Sequence, residues 1–192
     1  RETAGMRPFD MNLRADYQSR YGYFPAIRKP VIAAINGAAA GLGFVFAAYS
    51  DFRLAVESAV FTTAFARRGL IAEHGIAWIL PRLVGHANAL DLLMTSRRID
   101  AREALAMGFV NKVVQAPELL PEARSLAREL ATTVSPRSVQ VMKRQLWESP
   151  FQTLAEATIL ANDEMCRSIQ SEDFREGLAH FVERRQPRFT GR

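Results

Sequence analysis

Residues 29–43 read KPVIAAINGAAAGLG, and this stretch decides the fold. Its apolar run, Val31 to Ile35, lies between a proline and the pair Asn36-Gly37, which predicts a short strand covered on both faces and then a turn. The small residues from Ala38 to Gly43 predict a tight bend. An almost wholly apolar stretch follows, residues 42–50, and predicts a buried helix. A strand, a glycine bend and a helix in this order leave free backbone N–H groups at the helix N-terminus, where negative charge is stabilised.

The rest of the chain divides by pattern near residue 115. Before it, strands are predicted over residues 51–55, 59–65 and 109–114, and helices over 76–84, 86–94 and 101–107. After Pro117 the pattern is wholly helical, with helices predicted over about 120–133, 136–148, 151–168 and 172–184. Ser171 and Asp173 are candidate N-terminal caps for the last helix. We therefore expect a mixed α/β core over residues 1–115 and a helical region over residues 116–192.

The composition is that of an ordinary globular protein. Of 192 residues, 48% are hydrophobic and 23% are charged, so a sizeable core is feasible. The single cysteine, Cys166, fits a reducing compartment such as the cytoplasm or an organelle matrix. The start, Arg1 to Pro8, lacks the pattern of a secretory signal, and no apolar stretch approaches the roughly 20 residues of a membrane-spanning helix. The net charge of +5 comes mostly from arginines spread along the chain, without a basic motif typical of nucleic-acid binding.

Three segments in order carry a resemblance to a known family. The first is the opening stretch. The second is FTTAFARRGLIAEHG at residues 61–75, continuing to LPRLVG at residues 80–85. The third is TSRRIDAREA at residues 95–104, reaching GFVNKVV at residues 108–114. Together they resemble the enoyl-CoA hydratase/isomerase family, the crotonases, from about Lys29 to the end of the chain.

The resemblance implies a crotonase-like α/β fold, with a ββα spiral core and a C-terminal helical trimerisation region. It implies an acyl-CoA thioester as substrate, with coenzyme A present only as part of that substrate and no separate cofactor. It also implies a homotrimer or homohexamer. The family has further strands before this core, and nothing in the chain matches them. We expect those strands to be absent from residues 1–192.

The same resemblance assigns the backbone N–H of Leu42 as one donor of an oxyanion hole, with Gly41 and Gly43 on either side lining the substrate site. A thioester carbonyl becomes enolate-like when a neighbouring carbon loses a proton, and a preorganised donor stabilises that charge. The second donor of the family lies on an earlier strand, so we expect it to precede Arg1. A glycine bend that merely allows close packing of helix and strand is the structural alternative.

The acid or base must differ from that of standard hydratases. Hydratases of the family carry two glutamates, at positions that here hold Val45 and Phe65, and neither of these can transfer a proton. We expect both to line the substrate site instead, forming an apolar wall with Phe44 that would raise the pKa of a nearby base. Glu73 is the substitute candidate, because Gly69 to Gly75 resembles the Gly-Leu-Ile-Thr-Glu-Gly loop of fungal Δ3,Δ2-enoyl-CoA isomerases. His74 is a further, weaker candidate. Favourable contact with a helix dipole is the alternative role of Glu73.

Phe181 and Arg184 match positions at which relatives contact the adenine end of coenzyme A. Stacking and phosphate pairing suit these residue types, although a core phenylalanine and a solvated arginine are equally consistent with the pattern. His86 and His180 receive no role. No cluster of histidine, cysteine and carboxylate has the spacing of a metal site.

The sequence thus predicts double-bond isomerisation of an enoyl-CoA with Glu73 as the single base. Two alternatives stay open. One is hydration, or another crotonase reaction, with Glu73 activating water. The other is a non-catalytic homologue that binds acyl-CoA or RNA, since both usual glutamates are missing and the chain is basic.

Overall fold

The computed structural model describes residues 14–192, which form two compact units. The first unit contains the described residues up to Phe24 together with Val31–Ala123. The second contains Pro25–Pro30 and Arg124–Arg192.

The first unit alternates short strands and helices. Its strands are β1 Ile32–Ile35, β2 Ala39–Ala40, β3 Phe52–Val56, β4 Val60–Thr62, β5 Ile99–Asp100 and β6 Lys112–Val114. Its helices are α1 Leu42–Tyr49, α2 Ile76–Val84, α3 His86–Thr95 and α4 Ala101–Ala106, with 3-10 turns at Ala15–Tyr17, Phe24–Ala26, Ala66–Arg68 and Ala116–Glu118. The predicted core helices and the strands on either side of α1 are therefore confirmed, and the fold is the predicted mixed α/β class.

The strands form two small sheets. The first has the order β1-β3-β6 and is parallel throughout, with Ile32 opposite Phe52 and Leu54 opposite Lys112. The second has the order β2-β4-β5, in which β2 runs parallel and β5 antiparallel to β4. Among the described residues β1 pairs with β3 alone, and its side chains are half-buried. Pairing concerns the edges of a strand and not its faces, so coverage of both faces stays a prediction.

The strand predicted over residues 59–65 is also shorter in the structure. It ends at Thr62, because Ala64 takes a left-handed conformation with φ of +59° and turns the chain into the 3-10 turn at Ala66–Arg68. The hydroxyl of Thr62 accepts a hydrogen bond from the Ala64 N–H at 3.2 Å, which holds this corner. Phe65 consequently lies after the strand and not within it.

Helix α1 is the centre of the core. Its side chains at Phe44, Val45, Ala47, Ala48 and Tyr49 are buried, which explains why the stretch is apolar on nearly every side. The Phe44 ring stacks on the Phe109 ring, with centroids 4.4 Å apart and planes 7° apart. Phe61 of β4 meets Phe109 edge to face at 5.5 Å. Stacking of this kind adds to the burial of the aromatic surface.

The C-terminal end of α1 is closed by a buried guanidinium. Arg53 of β3 donates to the carbonyl oxygen of Ala47 at 3.4 Å, to that of Ser50, and to that of Phe109 at 2.5 Å. A cation at a helix C-terminus satisfies the last carbonyl groups and complements the helix dipole. Arg53 therefore fixes α1 to β3 and to the segment before β6.

The second unit is helical. Its helices are α6 Pro136–Glu148, α7 Leu154–Ile169 and α8 Glu172–Glu183, and helix α5 Leu119–Thr132 begins in the first unit. The predicted helix over residues 151–168 begins three residues late, at Leu154. Thr153 is its cap, and its hydroxyl accepts from the Glu156 N–H while the Glu156 carboxylate accepts from the Thr153 N–H at 2.7 Å. This is a capping box.

Helix α8 begins at one of its two predicted caps. The Ser171 hydroxyl accepts a hydrogen bond from the Phe174 N–H at 3.0 Å, as expected of an N-cap. The prediction for Asp173 is wrong. Its carboxylate is buried and accepts from the Ser135 hydroxyl at 2.6 Å and from the Thr190 N–H at 2.8 Å, so it joins helix α6 to the C-terminal segment.

Candidate active site

The glycine bend before α1 takes the conformation that only glycine adopts readily. Gly41 has φ of +53° and ψ of −115° and is the N-cap of α1, without a side chain to cap the helix. Its own N–H donates to the carbonyl oxygen of Thr62 at 3.2 Å. Strand β4 thereby fixes the bend, and with it the point at which α1 begins.

The first N–H groups of α1 are uncommitted. The first bond of the helix runs from the Val45 N–H to the Gly41 carbonyl at 3.0 Å. Within residues 14–192, the N–H groups of Leu42, Gly43 and Phe44 meet no acceptor. A methyl group built at Gly41 or at Gly43 would find nothing within 4 Å. Uncommitted N–H donors at the positive end of a helix suit an oxygen with negative charge.

Val45 and Phe65 supply apolar surface and no proton donor. Val45 lies on α1 and is fully buried, and Phe65, at the corner after β4, is 5% exposed. Their burial agrees with their residue types. The two positions that the resemblance matches to hydratase carboxylates are thus parts of the hydrophobic core.

A polar cluster that sequence reasoning missed holds the Phe65 corner. The Ser96 hydroxyl accepts from the Ala66 N–H at 3.1 Å, and the Ser96 carbonyl accepts from the Thr62 hydroxyl at 2.9 Å. Thr63, fully buried, donates to the Leu92 carbonyl at 2.7 Å. These bonds span about thirty residues of sequence, so no local pattern could have revealed them.

Glu73 lies in the loop between the 3-10 turn Ala66–Arg68 and helix α2. Its carbonyl accepts from the Ile76 N–H at 3.1 Å, which forms the turn that leads into the helix. Its side chain is 34% exposed, so the carboxylate keeps access to solvent and to a ligand. The nearest cationic candidate is the His74 ring, with Nε2 at 3.9 Å from the Glu73 Oε2 atom.

The loop is fastened to α1 immediately after Glu73. The Tyr49 hydroxyl donates to the His74 carbonyl at 2.8 Å. The His74 ring also meets the Tyr21 ring edge to face, with centroids 4.8 Å apart. His74 and Gly75 are both left-handed, with φ of +57° and +75°. The structure places His74 in a structural contact as well as beside Glu73.

Tyr49 is a functional candidate that sequence reasoning missed. Burial raises the pKa of its hydroxyl, so it is a neutral donor at ordinary pH. One signal was available in the sequence: Tyr49 is the last residue of LGFVFAAY and the only one in it with a polar side chain. A buried hydroxyl needs a partner, and this one finds it in the Glu73 loop.

The two ends of α1 therefore carry different parts of the site. Its first residue, Leu42, has the uncommitted N–H, and its last, Tyr49, holds the loop that bears Glu73. Seven residue steps in an α-helix separate these points by about 10 Å. Helix α1 also packs against α2, at whose start the Glu73 loop ends.

Phe181 and Arg184 belong to the second unit. Phe181 is 80% exposed on α8, and Arg184 is the left-handed residue that ends this helix, with φ of +53°. Both line an open groove of about 500 Å³ with His180, Val182 and Arg185. The groove combines the accessible Phe181 ring with the Arg184 guanidinium, whereas the Arg185 guanidinium is paired with Glu176 and Glu183. An aromatic ring beside a guanidinium suits a base linked to phosphate.

The described residues contain neither a metal-binding cluster nor a membrane-spanning helix. Between residues 14 and 192 no three histidine, cysteine, aspartate or glutamate side chains come together closely enough to hold a metal ion. In the same range no helix has both the length and the apolar character needed to cross a membrane.

Comparison with known proteins places this chain in one family. The model of the family described as enoyl-CoA hydratase/isomerase matches residues 2–192. The chain is 38% identical over 181 residues to a protein named as a probable enoyl-CoA hydratase, from Mycobacterium leprae, covering 93% of this chain and 69% of that protein. It is 36% identical over 176 residues to the 1,2-epoxyphenylacetyl-CoA isomerase of Escherichia coli, covering 88% and 67%.

A solved structure agrees. The enoyl-CoA hydratase of Bacillus anthracis superimposes with a TM-score of 0.86 at 32% identity, covering 90% of this chain and 66% of that one. The chain thus spans about two thirds of the length of each of these three proteins. It belongs to the enoyl-CoA hydratase/isomerase family, the crotonases, and the predicted resemblance is confirmed.

The contact between Tyr49 and the Glu73 loop can be tested by a pair of glycine substitutions. A Cβ at Gly75 would lie 2.8 Å from the Tyr49 hydroxyl, whereas one at Gly69, with φ of +70°, would meet nothing within 4 Å. Both alanine variants take on left-handed strain of about 1–2 kcal/mol. Gly75→Ala also displaces the hydroxyl, so we expect it to lose about 1 kcal/mol more in free energy of unfolding. Urea denaturation measures the difference, and equal losses would contradict the contact.

Proposed function

We propose that this protein moves the double bond of an enoyl-CoA, with Glu73 transferring the proton and the N–H of Leu42 holding the enolate oxygen. The observation that carries the proposal is the uncommitted N-terminus of α1, where Leu42, Gly43 and Phe44 have no acceptor among the described residues. Coenzyme A enters as part of the substrate. Proton transfer of this kind needs no further cofactor.

The chemistry follows from charge. Removing a proton from C2 of a 3-enoyl thioester leaves a dienolate, whose negative charge is greatest on the thioester oxygen. A preorganised N–H aimed at that oxygen strengthens its hydrogen bond as the charge develops, which lowers the barrier by roughly 3–4 kcal/mol. Return of the same proton to C4 completes the shift of the double bond to C2–C3.

Two observations favour isomerisation over hydration. Hydration by two carboxylates needs a pair of groups that position water, and the two positions in question are the buried Val45 and Phe65. Glu73 is a single carboxylate, half-exposed and held on a fastened loop. One carboxylate suffices to take a proton from one carbon and return it to another.

The groove on α8 supports the same substrate class. Phe181 offers an exposed ring and Arg184 a guanidinium, which suit the adenine and the phosphates of coenzyme A. This assignment concerns the second unit alone.

The role of the Leu42 N–H can be tested without disturbing the helix. Leu42 is the first residue of α1, a position at which proline fits because the N–H has no partner in the helix. Leu42→Pro removes the donor, and kcat is expected to fall about 10²–10³-fold. Leu42→Ala keeps the donor and is the matched control.

Steady-state kinetics of both variants, with circular dichroism to confirm folding, give the answer. Equal rates for folded Leu42→Pro and Leu42→Ala would show that the N–H takes no part.

The role of Glu73 is tested by Glu73→Gln, which keeps the shape and removes the base. Isomerisation of 3-enoyl-CoA is expected to fall about 10²–10⁴-fold. Hydration of 2-enoyl-CoA should be slow in the unmodified protein. Glu57→Gln, at an exposed turn after β3, is the control.

The two substrates separate the alternatives. Fast hydration that depends on Glu73 would favour a hydratase, and full isomerase activity of Glu73→Gln would contradict the proposed base.

We further propose a homo-oligomer, a trimer or a pair of trimers, assembled through the helical unit. Three apolar side chains on α8 are exposed at four-residue spacing and so share one face: Phe174, Leu178 and Val182. Large exposed apolar patches are typical of surfaces that bind other proteins. Burial of this face between copies would remove it from water.

Sedimentation velocity tests the assembly. The unmodified protein should sediment as a trimer or a hexamer. Leu178→Glu places a charge in the centre of the face and should shift the protein to smaller species, whereas Arg175→Glu, beside the face on the same helix, should have little effect. A monomer at all concentrations would contradict the proposal.

A further inference from the structure

The loop that carries Glu73 is held by one side chain of α1. The Tyr49 hydroxyl donates to the carbonyl of His74, the residue directly after Glu73, at 2.8 Å. Tyr49 is 7% exposed, and its ring packs near that of Phe24, with centroids 5.8 Å apart. A buried donor of this kind has a fixed position, and it fixes the group that it contacts.

The backbone at this contact is one that the chain would not adopt unaided. His74, a residue with a Cβ, has φ of +57°, and Gly75 follows with φ of +75°. Left-handed conformations at side-chain-bearing residues persist where surrounding contacts impose them, and they occur often at functional sites. Here the imposing contacts are the Tyr49 hydroxyl and the ring of Tyr21 on the His74 ring.

Gly75 is part of the same arrangement. Any Cβ at this position would come within 2.8 Å of the Tyr49 hydroxyl. A glycine therefore allows the close approach by which the hydroxyl reaches the His74 carbonyl. Without the hydrogen bond, the segment from Glu73 to Gly75 would lose its tie to α1 and could relax toward an ordinary turn.

We propose that Tyr49 is a positioning residue for catalysis. Through its hydrogen bond to the His74 carbonyl, it holds the Glu73 carboxylate in a fixed position relative to the N–H of Leu42. This inference rests on the proposed function, in which Glu73 is the base. Tyr49 and Leu42 are the last and first residues of the same buried helix. One rigid helix therefore fixes the positions of both the proposed base and the proposed oxyanion donor.

The position of the Glu73 carboxylate matters because the rate of proton transfer falls steeply with the distance between donor and acceptor. A displacement of about 1 Å of a catalytic group can lower a rate about 10²-fold. Loss of the Tyr49 hydroxyl would leave the Glu73 carboxylate able to accept a proton, but the carboxylate would adopt more orientations. The consequence is a fall in kcat with little change in KM, since Tyr49 need not contact the substrate.

The experiment is a double-mutant cycle in the full-length protein with 3-enoyl-CoA as substrate. Tyr49→Phe removes the hydroxyl and keeps the ring that packs near Phe24. Its kcat is expected to fall about 10-fold, with KM within about twofold, as partial misplacement predicts. Tyr23→Phe, which removes an exposed hydroxyl, is the matched control and should be unchanged.

The second side of the cycle separates positioning from a merely structural role. In the Glu73→Gln background there is no base to position, so adding Tyr49→Phe should cause no further loss of kcat. If Tyr49 only stabilised the fold or the oxyanion helix, its substitution would lower kcat by the same factor in both backgrounds. Thermal unfolding of each variant confirms that the comparison is made on folded protein.

The outcomes are distinct. A loss confined to the background with Glu73 supports the inference. An unchanged Tyr49→Phe, or an equal loss in both backgrounds, overturns it while the large effect of Glu73→Gln leaves the proposed function standing. Full activity of Glu73→Gln would overturn the proposed function, and the positioning role would fall with it.

Discussion

The arrangement of this protein depends on three backbone N–H groups at the start of α1 that meet no acceptor within residues 14–192. A buried helix normally has its first donors capped by a side chain or by another segment. Here Gly41 caps without a side chain, and the Thr62 carbonyl is occupied by the Gly41 N–H. The N–H groups of Leu42, Gly43 and Phe44 meet no acceptor among the described residues. A negatively charged oxygen at this position would gain hydrogen bonds from donors that are already in place.

The surrounding core explains why the N-terminal end of α1 keeps its position. Helix α1 buries its side chains at Phe44, Val45 and Tyr49, and Arg53 closes its other end through the carbonyl oxygens of Ala47 and Ser50. Because the helix is held at both ends, its first turn cannot rearrange to give these N–H groups other partners. Packing therefore supplies the preorganisation that transition-state stabilisation requires. The same rigidity passes to the Glu73 loop through the Tyr49 hydroxyl.

The local sequence pattern was enough to predict the helices and turns whose apolar, glycine and proline residues recur at a clear spacing. The bend at Gly41–Gly43, helix α2 and helix α6 were all predicted from glycine, proline and apolar spacing. Strands β2 and β5 were not, because each has two residues and exists only through its pairing with β4. Asp173 was mistaken for a cap, since its true partners, Ser135 and Thr190, are distant in sequence. The Tyr49 contact was missed for the same reason, because it joins the end of helix α1 to a loop that is 25 residues away in sequence.

The central claim, that the N–H of Leu42 binds the thioester oxygen, is tested most directly by isotope-edited infrared spectroscopy. A saturated acyl-CoA with a 13C-labelled thioester carbonyl cannot isomerise, so its carbonyl stretch reports the bound ground state. A hydrogen bond from the helix N-terminus polarises this carbonyl and should shift its stretch to lower frequency on binding, and Leu42→Pro should remove that part of the shift. A carbonyl stretch that is the same in water and in the complex, or that shifts equally in Leu42→Pro, would contradict the claim.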